Sequence, residues 1–436
     1  MAHWLSADIA RTIASFIPDQ LTLSRFCAVN NTCLNVARPL LFDTICILFR
    51  SKDWDLEDIA AFFDSHASLA NYVHSLTLRG FALPPTITAA ECAAIISTLP
   101  TLRKLRLLEL EWVTRPFTRR SFGLLPNSLS ELDLVSVWNV AGEGSPLDVA
   151  ALAPRWSTVS IQYVEHRANL QRGVALPFTV KAVFIEETVW ESCPSWFTPA
   201  DCAFMEVDCV AFAKLDPYHF PLLQRILEDN TKTVQCLFVR IAAWCIGDLW
   251  WLDATAHFGR CVNASSVFVE LPVDAFTTSY LHGTRRTRGK QLDVFESIVD
   301  NLPSSVTLLH VKFLLDLRDA DNSYDILWNR IPWTTIVRAC QTLRSSALVV
   351  VAIGLLAVNG CDAEEVDTVI PLPPAQQAFA LDELRNAAWS VGADTYSGVV
   401  WLDKSGTHTG CSLRDFVARK KAGFTPKVFK PIDIAL

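Results

Sequence analysis

The segments SLTLRGF (75–81), KLRLLEL (104–110) and ELDLVSV (131–137) each carry an apolar-x-apolar core, with leucine at 76 and 78, at 105 and 107, and at 132 and 134. That alternation is the period of a strand with one buried face. The pattern returns in TVSIQYV at Val159 and AVFIEET at Val183, at an interval of roughly 23 to 29 residues. Less regular copies follow at Met205, Leu237, Val267, Leu309 and Leu348, and their wider spacing predicts insertions between them. Between the first two strands, TAAECAAIISTLP (88–100) reads as a helix opened by a Thr88-x-x-Glu91 capping box, with Ile95 and Ile96 toward the core. One strand and one helix per repeat leave an apolar face that only a neighbour can bury. The expected fold is therefore α/β, a solenoid with parallel strands on one side and helices on the other. No long Gly/Ser or Pro tract marks a linker between independent domains.

Upstream, LSADIARTIASFIPDQ (5–20) places Leu5, Ile9, Ile13, Phe16 and Ile17 at the spacing of one helical face. Ser6 caps its first turn, Asp8 favours its positive end, and Pro18 closes it. LTLSRFCAVNN (21–31) gives a second short stripe of Leu23, Phe26, Cys27 and Val29, and the run Asn30, Asn31, Thr32 supplies a break and a new cap. Leu34, Val36, Ala37, Leu40 and Leu41 continue as a third helix that Pro39 ends or bends. DTICILFR (43–50) follows as a strand with Ile45, Ile47 and Phe49 on one side, and DLEDIAAFFDSH (55–66) as a helix turning Leu56, Ile59 and Phe63 inward.

The stretch from Leu5 to Phe42 resembles an F-box, the module that joins substrate receptors to a cullin-RING ubiquitin ligase through a small Skp-type adaptor. Leu5, Ile9, Ile13, Leu21, Leu23, Cys27, Val29 and the ending ARPLLFDTICI (37–47) fall where that family places its apolar anchors and its exit into a strand. Ser6 stands where the family has Pro, and Cys33 where it has Trp. With ANYVHSLTLRGF (70–81) and LPTLRKLRL (99–107), the first third of the chain looks like the F-box proteins with leucine-rich repeats that are numerous in mushroom-forming fungi. The resemblance implies an F-box-like helical domain over 1–48 and an irregular leucine-rich-repeat solenoid over 49–436, with a C-terminal cap from about 374. It further implies that Leu5, Ile9, Ile13, Leu21, Leu23, Cys27 and Val29 bind the adaptor of the cullin complex, and that the repeat surface binds a target protein. For the cap, PPAQQAFALDELRNAAW (373–389) reads as an amphipathic helix through Phe379, Leu384 and Trp389, followed by a strand in SGVVWLD (397–403) and a short helix in CSLRDFVARKK (411–421).

Hydrophobic residues make up 51% of the 436 and charged ones 19%, a balance that favours burial over disorder. A net charge of −8 argues against a general nucleic-acid binder, which needs a dominant basic face. The start has no basic region followed by an apolar core, as a secretory signal would. The longest apolar run, Ala347 to Val358, is too short to span a bilayer and reads as a buried strand with a turn at Gly354. Thirteen cysteines without a C-x-x-C pair suit reduced thiols, and the expected location is cytoplasmic, nuclear or both, with no membrane association.

No catalytic spacing is found: no G-x-S-x-G, no glycine-rich phosphate loop, no H-E-x-x-H and no paired Cys/His ligands. The chain is accordingly expected not to be an enzyme and to hold no metal or cofactor. His166, His257 and His310 lie near apolar strands and read as structural; the carboxylate pairs Glu109/Glu111 and Glu186/Glu187 read as solvated. The basic run GTRRTRGK (283–290), with Arg285, Arg286 and Arg288, falls in a widened interval between repeats, where an inserted loop lies at a binding rim. A second basic group is Arg419, Lys420 and Lys421. Trp112, Trp138 and Trp190 follow strands, and in a solenoid those positions rim the concave face, so they join Arg285, Arg286 and Arg288 as partner-binding candidates. The alternative to a ligase receptor is a protein-binding scaffold whose N-terminal helices are only a structural cap.

Overall fold

The computed structural model describes residues 6–17, 19–49, 56–80, 85–113, 128–139, 149–150, 152–153, 155–162, 165–166, 178–186, 204–215, 220–241, 258–274, 290–316, 331–343, 348–357, 368–371 and 399–402. The fold is α/β with parallel sheet, and the chain divides into two compact units: Met1–Lys181 with Glu187–Phe204, and Ala182–Glu186 with Met205–Leu436.

The first unit opens with helices α1 (Ala7–Ser15), α2 (Gln20–Cys27) and α3 (Asn31–Phe42). Pro39 lies inside α3, which runs on to Phe42, so the proline does not end it. Next come β1 (Thr44–Phe49), α4 (Leu56–Ser65), α5 (Ala67–Ala70), β2 (Ser75–Gly80), β3 (Thr86–Thr88), α6 (Ala89–Ser97), β4 (Lys104–Val113), β5 (Glu131–Asn139), β6 (Arg155–Gln162) and β7 (Glu165–His166). Strands β1, β2, β4, β5 and β6 pair in that order, every pair parallel, while β3 and β7 add short parallel extensions to β4 and β5. The alternating leucines set the buried face: Leu76, Leu78, Leu105, Leu107, Leu132, Leu134 and Val159 are fully buried. Helix α4 buries Leu56, Ile59 and Phe63 and packs on α6, whose Thr88/Glu91 capping box forms and whose Ile95 and Ile96 are buried.

The second unit holds β8 (Phe178–Glu186), from Ala182 on, with β9 (Phe204–Met205), β10 (Cys209–Leu215), α7 (Phe220–Asp229), β11 (Cys236–Ile241), β12 (Ser266–Asp274), α8 (Lys290–Asp300), β13 (Leu308–Asp316), α9 (Trp333–Thr342), β14 (Leu348–Ala357), β15 (Thr368–Pro371) and β16 (Val399–Leu402). Strands β8, β10, β11, β12, β13 and β14 are parallel neighbours in that order; β16 also runs parallel to β14, and β15 antiparallel. Two expectations are corrected here. Gly354 makes no turn, because β14 runs through it and pairs it with Leu314 on one side and Pro371 on the other. Met205 is exposed and is not a core position of its repeat, which instead buries Val207, Val210 and Phe212. Strand β16 falls within SGVVWLD, whereas the helices expected at 373–389 and at 411–421 lie outside the described residues.

Within each unit, one hydrogen-bond device stacks the repeats. The carbonyl just before each strand accepts two successive backbone N–H groups from the next repeat: Asp43 from His74 and Ser75, His74 from Arg103 and Lys104, Arg103 from Ser130 and Glu131, Ser130 from Ser157 and Thr158. The second unit repeats it, with Asp208 accepting from Gln235 and Cys236, Gln235 from Ser265 and Ser266, and Ser265 from Thr307 and Leu308. The offset is 31 residues from Asp43 to His74, 27 from Ser130 to Ser157 and 30 from Gln235 to Ser265, then widens to 42 from Ser265 to Thr307. Three residues before the first inward side chain of each strand sits a further buried apolar residue: Val73, Leu102, Leu129, Trp156, Val180, Val207, Val234, Ala264 and Val306. Each repeat thus reads apolar-x-x-apolar-x-apolar. Hydroxyls beside that residue satisfy loop carbonyls of the preceding repeat, as Thr101 does at Val73 O (3.0 Å), Ser128 at Leu102 O (2.7 Å) and Ser305 at Ala264 O (2.7 Å).

Candidate docking surface on the N-terminal helices

Each of the first three helices is closed at its start by a side chain. Ser6 Oγ accepts from the Ile9 N–H at 3.3 Å, an Asp19 carboxylate oxygen from Thr22 at 2.7 Å, and Asn30 Oδ1 from Cys33 at 2.8 Å. Such caps matter for helices of two or three turns that are marginal alone. The Thr22 N–H bonding Asp19 also holds that carboxyl below its ordinary value of 3.8. Asp8 and Arg11 pair at 3.4 Å on exposed α1.

What these helices bury is small. Ala14, Leu23 and Ala37 form one cluster, flanked by partly buried Ile17, Phe26, Cys27, Val36 and Leu41, and Ala10 and Cys33 are buried beside them. Alanines four apart on α1 and the Cys33/Ala37 pair on α3 let the backbones approach closely, at the cost of leaving the bulky neighbours outside. Ile9 is 52% exposed, Ile13 41%, Phe16 79%, Leu21 63%, Val29 66% and Leu40 44%. Among the described residues only Phe62, Met205 and Val262 are comparably exposed large apolar side chains, so the surface apolar content concentrates on α1–α3.

Of the residues assigned to adaptor binding, Ile9, Ile13, Leu21 and Val29 therefore stand free on the surface, and Cys27 is half-buried. Leu23 is corrected: it is the bulky member of the internal cluster and is held from solvent, so it builds the unit rather than docking it. Leu5 lies outside the described residues. Phe16 and Leu40 join the surface without having been assigned to it. The signal for Phe16 was its place on the Ile9/Ile13 stripe; for Leu40 the sequence offered none that separates it from Leu41, which packs inward.

The partner-binding candidates fare differently. Trp112 is corrected, because its side chain is fully buried on the same face as Leu107 and Leu110 and rims nothing. Trp138 is part of β5, while Trp190, Arg285, Arg286 and Arg288 lie outside the described residues. Trp156 is likewise core, with Nε1 donating to Ala150 O at 2.7 Å.

The face of the first sheet opposite its leucines is polar. Register sets Ser75, Lys104, Glu131 and Thr158 in one row and Thr77, Arg106, Asp133 and Ser160 in the next. Lys104 Nζ at 3.0 Å and Arg106 Nε at 3.2 Å lie within ion-pair distance of Asp133, which ties the two rows together. Glu109 pairs with Arg79 at 3.0 Å and Glu111 accepts from the Thr86 hydroxyl at 3.2 Å, both contacts made at the surface by side chains open to solvent. The corresponding face of the second unit is apolar and closed: Phe184, Cys209, Ala211, Cys236 and Phe238 form a buried cluster, with Phe268 against it and His310 edge-on to Phe268 at 5.7 Å. One turn of register on, Glu270 sits between Arg240 at 2.9 Å and Lys312 at 3.6 Å. Burial pushes the Cys261 thiol up to about 11 and raises that of Cys92 further. Among the described residues no cluster of three or more His, Cys, Asp or Glu has the geometry of a metal site, and no helix is long and apolar enough to cross a membrane.

The chain matches no protein-family model and no curated protein.

Proposed function

We propose that this chain is the substrate-recognition subunit of a cullin-RING ubiquitin ligase, holding a Skp-type adaptor with α1–α3 and a target protein with its repeat surface. The observation that carries the reading is the burial of the first three helices: Leu23 is the one bulky side chain fully inside, among alanines and Cys33, with Ile9, Ile13, Phe16, Leu21, Val29 and Leu40 outside. Solvent exposure of that many bulky apolar groups costs free energy unless a partner covers them. The F-box resemblance, carried among these by Ile9, Ile13, Leu21 and Val29, supports a Skp-type adaptor as that partner. The apolar-x-x-apolar-x-apolar repeat supports the rest, since it opens the leucine-rich-repeat pattern.

Such a subunit accelerates transfer by position alone. Two contacts on one chain hold the target's lysines near the charged conjugating enzyme, which turns a bimolecular encounter into an effectively intramolecular one. No side chain of the receptor takes part in the chemistry, and its specificity resides in the repeat surface.

A pull-down with purified adaptor tests the proposal. Wild type binds, and Ile9→Asp with Ile13→Asp abolishes binding while circular dichroism and thermal unfolding stay unchanged, because both side chains are already exposed. Wild type that fails to bind the adaptor would leave the scaffold reading in its place.

A further inference from the structure

Strand β1 closes one edge of the first sheet: among the described residues it pairs with β2 alone. Its direction of hydrogen bonding can be read from its N-terminal end. Asp43 O accepts from His74, just before β2, and from Ser75 of β2, so the following Thr44 N–H points the other way; consistently, Thr44 O is reached from outside the sheet by Gln20 Nε2 at 3.5 Å. A strand residue sends its N–H and C=O to the same side, and sides alternate. Thr44, Cys46 and Leu48 therefore present their backbone groups to the open edge, while Ile45, Ile47 and Phe49 bond β2.

Apart from the Gln20 contact at Thr44 O, no described residue covers that edge, and its own sequence does not blunt it. Its sequence, TICILF, has no charge, no proline and no glycine, and is built from β-branched, aromatic and aliphatic residues. Natural edge strands are blunted by lysine, proline or a bulge, and an uncharged six-residue edge of high strand propensity is a template for pairing. Thr44 and Cys46 are exposed, and Ile45, Ile47 and Leu48 are only half-buried.

We infer that β1 pairs antiparallel with β1 of a second copy of this chain, joining two first-unit sheets across a two-fold axis. The register follows from the three outward residues. Cys46 meets its own counterpart on the axis and exchanges both backbone bonds with it; Thr44 faces the partner copy's Leu48, donates its N–H to the Leu48 carbonyl and takes the Leu48 N–H on its own carbonyl in place of the long, exposed Gln20 contact. In that register Ile45 and Ile47 lie directly opposite the other copy's Ile47 and Ile45, in the close non-hydrogen-bonded positions. The half-exposed isoleucines then cover each other, which makes a second copy the best fit for this edge: the same short segment supplies complementary backbone and complementary apolar faces. The interface is isologous and closes on itself, so it yields a dimer and no fibre.

The axis supplies the test. Facing residues in a hydrogen-bonded antiparallel pair have Cα atoms about 5.5 Å apart, within reach of a short bismaleimide bridging two thiols. Sedimentation velocity over a hundredfold range of concentration should show full-length chain passing from monomer to dimer. Bismaleimide treatment should give a cross-linked dimer whose peptides join Cys46 to Cys46, and Cys46→Ser should abolish that product without abolishing the dimer. Leu48→Lys, a charge on the half-exposed outer face of the edge, should keep the circular dichroism of wild type and sediment as monomer. A wild type that stays monomeric throughout overturns the inference. So does a dimer that survives Leu48→Lys, one that gives no Cys46 pair, or one lost in the Ile9→Asp/Ile13→Asp variant, since association would then run through α1.

Discussion

Glu109 and Ser136 lie side by side on β4 and β5, between the register pairs Leu108–Val135 and Leu110–Val137, and both hold a left-handed backbone, with φ of 55° and 51°. Each is one extra residue in a strand that alternates with period two. Before them the buried positions are Leu105, Leu107, Leu132 and Leu134; after them the phase moves by one and Leu110, Trp112 and Val137 are buried. Because both strands shift at the same place, their pairing continues unbroken. Left-handed backbone at a residue with a Cβ costs of order 1 kcal/mol, and glycine removes that cost. Ser136→Gly should raise stability by roughly 0.5–1 kcal/mol and Ser136→Val should lower it by roughly 1–2 kcal/mol, measured as shifts in the urea midpoint. A destabilising glycine there would remove the strain account.

Gly80, at the end of β2, is required by the same feature. A Cβ on it would overlap the backbone carbonyl oxygen of Glu109 and come within 2.9 Å of Pro85 Cδ. Neither group is the flexible tip of a side chain, so the strands would have to part. Gly80→Ala should cost roughly 2–3 kcal/mol and should speed hydrogen exchange in β2 and β4 before that in β6. Wild-type stability in this variant would mean the β2–β4 contact yields more easily than its geometry indicates.

The repeats were legible in the sequence because alternation is local: Leu76, Leu105, Leu132, Val159, Val183, Leu237, Val267 and Leu309 all sit where a strand of period two places them. The capping box at Thr88/Glu91 was legible for the same reason. What escaped was set by contacts distant in sequence. Trp112 looked like a rim residue only because the one-residue phase shift at Glu109 cannot be seen without the neighbouring strand. Leu23 and Leu21 are two apart on one helix, and which of them is core depends on where α3 lies. The small residues of α1 were passed over because periodicity scales weigh bulk, whereas the close approach of two helices selects for its absence.

Asn230, buried at the end of α7, joins three elements through its side chain. Its Oδ1 accepts the Val207 N–H at 2.9 Å and the Thr233 hydroxyl at 3.3 Å, and its Nδ2 donates to Ile226 O at 2.8 Å. Val207 leads into β10 and Thr233 into β11, so one amide fixes how the helix meets both strands. Asn230→Ala leaves a buried N–H and a buried carbonyl without partners, which should cost roughly 2–4 kcal/mol. Asn230→Asp should cost a comparable amount at neutral pH, since a carboxylate cannot donate to Ile226 O. Thermal unfolding of the two variants beside wild type decides it.

The cap of α2 should fail in acid. In the folded chain the Thr22 N–H holds the Asp19 carboxyl below 3.8, so the unfolded chain takes up the proton more readily. The resulting stabilisation is present above that value and is lost as pH falls through the lower folded one. Asp19 is fully exposed, so the effect is local. Exchange protection of the Thr22 and Leu23 amides, corrected for intrinsic rates, should hold at pH 6 and fall as the pH is taken below 3.8 in wild type. Asp19→Asn should keep the protection without the pH dependence, and Asp19→Ala should lose it throughout.

Leu21 and Leu23 separate docking from folding within a single turn of helix. Leu23 is enclosed with Ala14 and Ala37, and Leu21 projects into solvent. Leu23→Ala removes buried methyl groups and leaves a cavity that three short helices cannot easily close, so it should cost roughly 2–3 kcal/mol and loosen α1–α3 as a group. Leu21→Ala should stay within about 0.5 kcal/mol of wild type in stability. Yet if Leu21 anchors the adaptor, its loss should weaken binding by tenfold or more, since a bulky side chain at the centre of an apolar contact carries a large share of the affinity. The two variants therefore exchange ranks between an unfolding curve and a binding isotherm. Equal ranks in both would show that the exposed leucine, like the buried one, serves only the packing of the helices.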